Sequence, residues 1–217
     1  MVALHGTDDS WTKTPNHVFW GEIAPCDHVV QIYENDDSFL DLLGGFVSGG
    51  VNSGDSVIVL ATPPHIEALD QRLVSLGLDV KALMSTSQYI PLDAEYVLSK
   101  FMVNGWPDEN LFNYVVGELI VRAKQDGRSV RAFGEMVAVL WAKAMVGATV
   151  RLEQLWNKFC ESEAFCLFCA YPKKGFTQDA AESVVHICSA HSRLIQGADK
   201  GVMSDVLYKN VERSKAM

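Results

Sequence analysis

The feature that most constrains this chain is a pair of short, continuous apolar runs, each closed by turn residues. They are Ser56–Thr62 (SVIVLAT) and Ala164–Tyr171 (AFCLFCAY). A strand with one wet face alternates apolar and polar side chains. A continuous run means that both faces are covered, as in a parallel sheet between two layers of helices. Val29–Tyr33 (VVQIY) and Ser129–Phe133 have the same character, and Gln88–Leu92 (QYIPL) a weaker version of it. Pro91 lacks a donor for the ladder, which is the weakness.

Helical stripes separate these runs. Phe39, Leu42, Leu43, Phe46 and Val47 are spaced for one face of a helix that Asp36 or Asp37 opens. Pro63 and Pro64 start a second helix, where a missing N–H costs nothing, and Gly77 stops it. Two more patterns follow, split at Gly105-Trp106-Pro107. A long one runs from about Val137 to Cys160 with a break near Gly147. A last one starts at Thr177 or Asp179 and carries Ala181, Val184, Val185, Cys188 and Ile195 inward. The order β-α-β-α-β-α-α-β-α-β-α predicts an α/β fold of three layers around a mostly parallel sheet. Residues 1–25 read as a loosely docked polar arm, 26–196 as the domain, and 197–217 as a tail or helix extension.

Composition narrows the function. The chain has 217 residues, 48% of them hydrophobic, and carries 18 basic against 27 acidic side chains for a net charge of −9. An acidic surface repels phosphate backbones, so nucleic acid is not an expected partner. No apolar stretch is long enough to span a bilayer, and the first residues lack the basic start and apolar run of a signal peptide. Five cysteines, an odd number, read as reduced and mostly buried thiols of a cytoplasmic protein.

Two segments invite comparison with a phosphate-binding loop, and both fail it. Gly49-Gly-Val-Asn-Ser-Gly54-Asp55-Ser56 has Asp55 where the loop needs lysine, and a helix precedes it instead of following. The proper position lies after the second strand, at Thr62-Pro-Pro-His-Ile-Glu-Ala-Leu69. That segment has neither glycine nor lysine. Nucleophile elbows and H-E-x-x-H zinc motifs are absent from the sequence. Cys166 and Cys169, on one strand, would project from opposite faces and cannot share a metal. Cys188 and His191 are spaced to share a helix face. No metal or cofactor is expected from this spacing.

Ligands of open α/β sheets bind outside the carboxyl ends of the strands. Tyr33, Thr62, Glu135 and Tyr171 stand at four such ends, so they are the candidate binding residues, with Glu135 as the polar anchor. His28, just before the first strand, and Arg131, inside the fourth, complete the set. Arg131 is expected to pair with an acid such as Glu135 or Glu153.

Several motifs taken together resemble a known family. They are His28-Val-Val-Gln-Ile-Tyr33, Arg131-Ala-Phe-Gly-Glu-Met136-Val-Ala-Val-Leu-Trp141, Leu152-Glu-Gln-Leu-Trp156 and Cys169-Ala-Tyr-Pro172, with the glycine-rich helix end at 49–55. The combination resembles the MEDS domain, a sensory domain of methanogens, methylotrophs and the dichloromethane-responsive regulator DcmR. The resemblance implies a RecA/KaiC-like fold with an eroded nucleotide loop. It also implies a non-enzymatic sensor of a small, hydrocarbon-like molecule that signals through a separate protein, such as a histidine kinase or a regulator. About 20 residues follow the matching region, too few for an effector domain. The rival readings are a KaiC-like nucleotide-binding protein with residual ATPase activity and a ligand-free oligomeric scaffold. The final helix and the weakly apolar tail offer Val202, Met203, Val206, Leu207 and Tyr208, which a monomer would leave partly wet, so a homodimer is expected.

Overall fold

The computed structural model describes residues 11–15, 20, 23–175, 185, 187–196 and 205–209. Its core is a parallel sheet whose strands are β2 (His28–Tyr33), β3 (Ser56–Ala61), β4 (Tyr89–Asp93), β7 (Val130–Gly134), β8 (Cys166–Pro172) and β9 (Arg193–Gln196), in the spatial order β9-β2-β8-β7-β3-β4. Two antiparallel strands, β10 (Asp205–Lys209) and β1 (Trp11–Pro15), extend the β9 edge. A separate hairpin joins β5 (Met102–Val103) to β6 (Trp106–Pro107).

Side-chain alternation divides the core in two. Val29, Tyr33, Val57, Val59, Phe133 and Phe168 face α1 (Asp36–Asn52), α2 (Pro63–Ser75) and α3 (Val80–Ser85). Val30, Ile58, Leu60, Ala132, Leu167, Cys169 and Tyr171 face α4 (Ala94–Ser99), α5 (Glu109–Ala123), α6 (Met136–Ala142) and α7 (Val146–Glu163). The expected three-layer α/β architecture is therefore present. Every residue from Val130 to Trp141 is buried, so β7 and the helix that follows it form the centre of the molecule.

The helix starts follow their caps. The Asn35 side chain accepts the Ser38 N–H at 2.8 Å, and Asp108 accepts that of Leu111 at 2.9 Å. α2 opens on Pro63 and Pro64, as the sequence suggests. At Gly50, α1 comes so close to the sheet that an added Cβ would lie 2.9 Å from Val57 Cγ2 and 3.0 Å from Arg131 Cδ.

Some sequence expectations are refined and others change. The long helix breaks at Ala144, which adopts φ 55°, while Gly147 sits inside α7. The split at Gly105 is a tight hairpin with Asn104 and Gly105 both at positive φ, the backbone that an Asn-Gly pair favours. The last helical stripe does not reach Ile195, which belongs to β9. Its expected start at Thr177 or Asp179 lies outside the described residues. The tail is strand, not helix, at 205–209, so a helical-stripe argument for self-association does not apply to Val206, Leu207 and Tyr208. Val202 and Met203 lie outside the described residues.

The arm is also more than loosely attached. Its strand pairs with β10, and Trp20 is only 8% exposed. The indole packs 5.1 Å from the Phe46 ring and 5.2 Å from Phe168. Among the described residues, no helix is long and apolar enough to cross a membrane.

Candidate functional site

The carboxyl ends of β2, β3 and β7 bring three of the predicted residues together. Glu135 directly follows β7, and its backbone N–H donates to Leu60 O at 2.8 Å, which fixes it beside the end of β3. Its Oε2 accepts the Thr62 backbone N–H at 2.7 Å and the Thr62 hydroxyl at 3.2 Å. Its Oε1 pairs with His65 Nδ1 at 2.8 Å. Tyr33 lies close enough for the Glu135 charge to act on it. Burial first, then the Glu135 and Asp36 carboxylates, push its phenol upward. Tyr33 stacks on Phe39 at 4.7 Å, and Phe39 meets the His65 ring edge-on at 5.1 Å.

His65 was not among the sequence candidates. It is partly exposed, with 18% of its side chain accessible against 8% for Glu135. The Glu135 hydrogen bond holds the imidazole above its usual range, partly opposed by burial. Its signal was its place three residues after Thr62, in the first turn of α2 and on the side facing the sheet edge.

The electrostatics of this edge are opposite to those of a nucleotide site. A phosphate-binding loop offers free N–H groups and a lysine at the start of the helix. Here Pro63 and Pro64 remove two donors, and a carboxylate takes the N–H of Thr62. Glu135 thus brings a negative charge to the turn after β3.

The other three candidates lie elsewhere, and sheet register gives the reason. Tyr33 pairs with Pro172, so Tyr171 shares the face of Ile32 instead. Its hydroxyl donates to Glu153 Oε1 at 2.5 Å, and burial drives its phenol far above the usual range. His28 pairs with Leu167 and so shares the face of Cys169 and Tyr171. Arg131 lies near the amino end of β7, remote from Glu135. It pairs with neither Glu135 nor Glu153. Its Nε donates to Asp55 Oδ2 at 2.6 Å and its Nη1 to the Trp20 carbonyl. This makes Arg131 an anchor for the arm and for the turn after α1.

On the α7 face, His28, Glu153, Cys169 and His191 form a second polar cluster, each at most 1% exposed. Glu153 Oε2 lies 3.5 Å from His28 Nε2, 3.5 Å from His191 Nε2 and 3.9 Å from Cys169 Sγ. His28 Nε2 and Cys169 Sγ are 3.5 Å apart. Burial pushes the His28 imidazole down to about 4 and the Glu153 carboxyl up to about 8. It also raises the Cys169 thiol. The His28 imidazole is thus neutral, a donor of a lone pair or a proton. Cys166 projects to the other face, as its strand position requires.

The fold is that of a RecA/KaiC-like α/β domain, and its turn after β3 has neither glycine nor lysine. Residues 27–191, well over half of the chain, match the family described as MEDS, the methanogen/methylotroph, DcmR sensory domain. The chain belongs to that family. Among curated proteins no match was found. Solved structures of the same fold include an uncharacterized Pyrococcus horikoshii protein in complex with an unknown peptide. Its identity is 13% and TM-score 0.60, with 88% of this chain and 86% of that one covered. A KaiC-like protein from the same organism aligns with 9% identity and TM-score 0.54, covering 88% and 81%. The flagellar accessory protein FlaH of Methanocaldococcus jannaschii aligns with 10% identity and TM-score 0.52, covering 85% and 78%.

Proposed function

We propose that this sensory domain binds a small, uncharged, hydrocarbon-like molecule at the carboxyl edge of its sheet, beside Tyr33, Thr62, His65 and Glu135, without nucleotide hydrolysis. The observation that carries this reading is the Glu135 carboxylate on the Thr62 N–H and the His65 ring. It takes a backbone N–H at the turn where a nucleotide-binding fold hydrogen-bonds a phosphate, and its charge disfavours anions. The Tyr33 and Phe39 rings supply apolar walls, and His65 supplies a partly exposed polar handle. A ligand with one hydroxyl or halogen would exchange the His65–Glu135 contact for its own, which moves the first turn of α2. That displacement is the signal, passed to a separate protein such as a histidine kinase or a regulator.

The test is a thermal-shift panel of short alcohols, haloalkanes and amines on the full chain, followed by the same panel on Glu135→Gln and His65→Ala. The reading requires at least one small neutral compound that stabilises the wild type and loses at least tenfold in affinity in both variants. A panel hit that is indifferent to both substitutions would place sensing elsewhere.

A further inference from the structure

We propose that His28 Nε2, His191 Nε2, Cys169 Sγ and Glu153 Oε2 form a four-ligand site for a divalent borderline metal ion, of which Zn2+ is the natural choice. The site lies on the opposite face of the sheet from Glu135 and does not depend on the sensing proposal.

Spacing is the first argument. The four ligand atoms all lie within 4.8 Å of one another. Bond lengths of about 2.0–2.3 Å in a tetrahedral zinc site put neighbouring ligand atoms about 3.3–3.6 Å apart. Four of the six separations are 3.5, 3.5, 3.5 and 3.9 Å, and the other two are within 4.8 Å. The two histidine–carboxylate separations are long for hydrogen bonds, and all four lie within a few tenths of an ångström of the edges of a coordination tetrahedron.

Orientation is the second. His28 Nδ1 lies 3.1 Å from Ala190 O, and His191 Nδ1 lies 2.6 Å from Ile187 O. A carbonyl can only accept, so both Nδ1 atoms carry the proton and both Nε2 atoms turn a lone pair toward Glu153. Zinc-binding histidines are held in this way, by a backbone or carboxylate acceptor on the other nitrogen. The Glu153 carboxylate has the same support, since Tyr171 O–H holds its Oε1.

Charge is the third. Thiolate and carboxylate together carry two negative charges, so a divalent cation leaves the buried site neutral. A neutral closed site avoids the cost of isolated buried charge. Four protein ligands leave no position for water, so the site holds structure and does no chemistry. It ties β2, β8 and α7 to His191, two residues before β9, and so fixes the C-terminal segment on the sheet.

A surface cleft of about 260 Å3 lies beside the cluster, lined by Val150, Gln154, Asn157, Lys158, Glu161, Ser189 and Ala190. The Asn157 side chain also reaches the His28 ring, so the cleft lies one residue outside the cluster.

The experiment uses the full, untagged chain, stripped with a chelator and titrated with Zn2+ and with Co2+. One equivalent of Zn2+ should bind with Kd below about 1 μM and raise the melting temperature. The Co2+ form should show the intense d–d bands of a tetrahedral ion and a thiolate-to-cobalt charge-transfer band. Cys169→Ser should abolish the charge-transfer band, while Cys166→Ser, on the same strand but the other face, should keep it. Tyr171→Phe should weaken Zn2+ by about 10–100-fold. A folded wild type that binds no stoichiometric Zn2+, or whose Co2+ form lacks the thiolate band, overturns the proposal. So does a band that survives in Cys169→Ser. If that variant fails to fold, the wild-type cobalt spectrum decides alone.

Discussion

Glu135 accepts the backbone N–H of Thr62 at 2.7 Å, across 73 positions of sequence, and so joins the end of β7 to the first turn of α2. In folds of this class that turn is where a bound phosphate would receive its hydrogen bonds. A side chain of the domain itself receives one here. The stability of the edge follows from that exchange, and so does the ligand preference we propose for it.

Removal of the carboxylate leaves the Thr62 N–H and the His65 ring without their acceptor. Glu135→Ala should destabilise the domain by about 1–3 kcal/mol, the cost of an unpaired polar group. Urea unfolding monitored by far-ultraviolet circular dichroism measures it. A change below about 0.5 kcal/mol would mean that water replaces the carboxylate and that the edge is looser than described.

The same pair predicts a pH dependence. The Glu135 hydrogen bond raises the folded-state pKa of His65 above its ordinary value of 6.5. A group raised in the folded state binds its proton more tightly there. Its stabilisation is therefore fully present below about pH 6.5 and is lost as pH rises through the folded value. The stability gap between wild type and His65→Ala should be larger at pH 5.5 than at pH 8.5. A gap that is flat or grows with pH contradicts the ion pair.

Arg131 and Asp55 form a largely enclosed pair, their side chains 7% and 15% exposed. Asp55→Ala leaves the guanidinium without its counter-charge and should cost about 3–5 kcal/mol. The double variant Asp55→Ala/Arg131→Met should recover part of that loss, because the uncompensated charge is gone. Equilibrium unfolding of the two proteins compares them. No recovery would mean that the Arg131 bond to the Trp20 carbonyl outweighs the ion pair.

Gly50 offers a test of packing against propensity. Alanine is favoured over glycine in a helix by about 1 kcal/mol. The new methyl would meet Val57 at 2.9 Å and Arg131 at 3.0 Å. Overpacking of this kind costs about 1–3 kcal/mol, so Gly50→Ala should destabilise on balance. A higher melting temperature would show that α1 can move away from the sheet.

The parallel core was legible because its central strands are apolar on both faces. Ser56–Thr62 and Ala164–Tyr171 admit few other readings. β9, β10 and β1 were not legible, because Arg193-Leu-Ile-Gln196 and Asp205-Val-Leu-Tyr-Lys209 are short and mixed in polarity. Ile195 also happens to fall in register with the preceding helical stripe. The site followed a similar pattern. The strand-end rule brought Tyr33, Thr62 and Glu135 to one place. It failed for Tyr171, because that rule names an edge and not a face. Face is set by register, and the pairing of Tyr33 with Pro172 turns Tyr171 away. The second cluster was hidden for the same reason. His28 and Cys169 become neighbours only once β2 is laid beside β8, and Glu153 reads in sequence as one polar residue on the apolar stripe of α7.

The central claim is that the phosphate position has been given over to Glu135. Isothermal titration calorimetry of the full chain with ATP and Mg2+ tests it most directly. The account predicts no binding heat at physiological nucleotide concentrations, because the turn at Thr62–His65 presents a carboxylate and two prolines. Saturable 1:1 binding of ATP at micromolar concentration would contradict it.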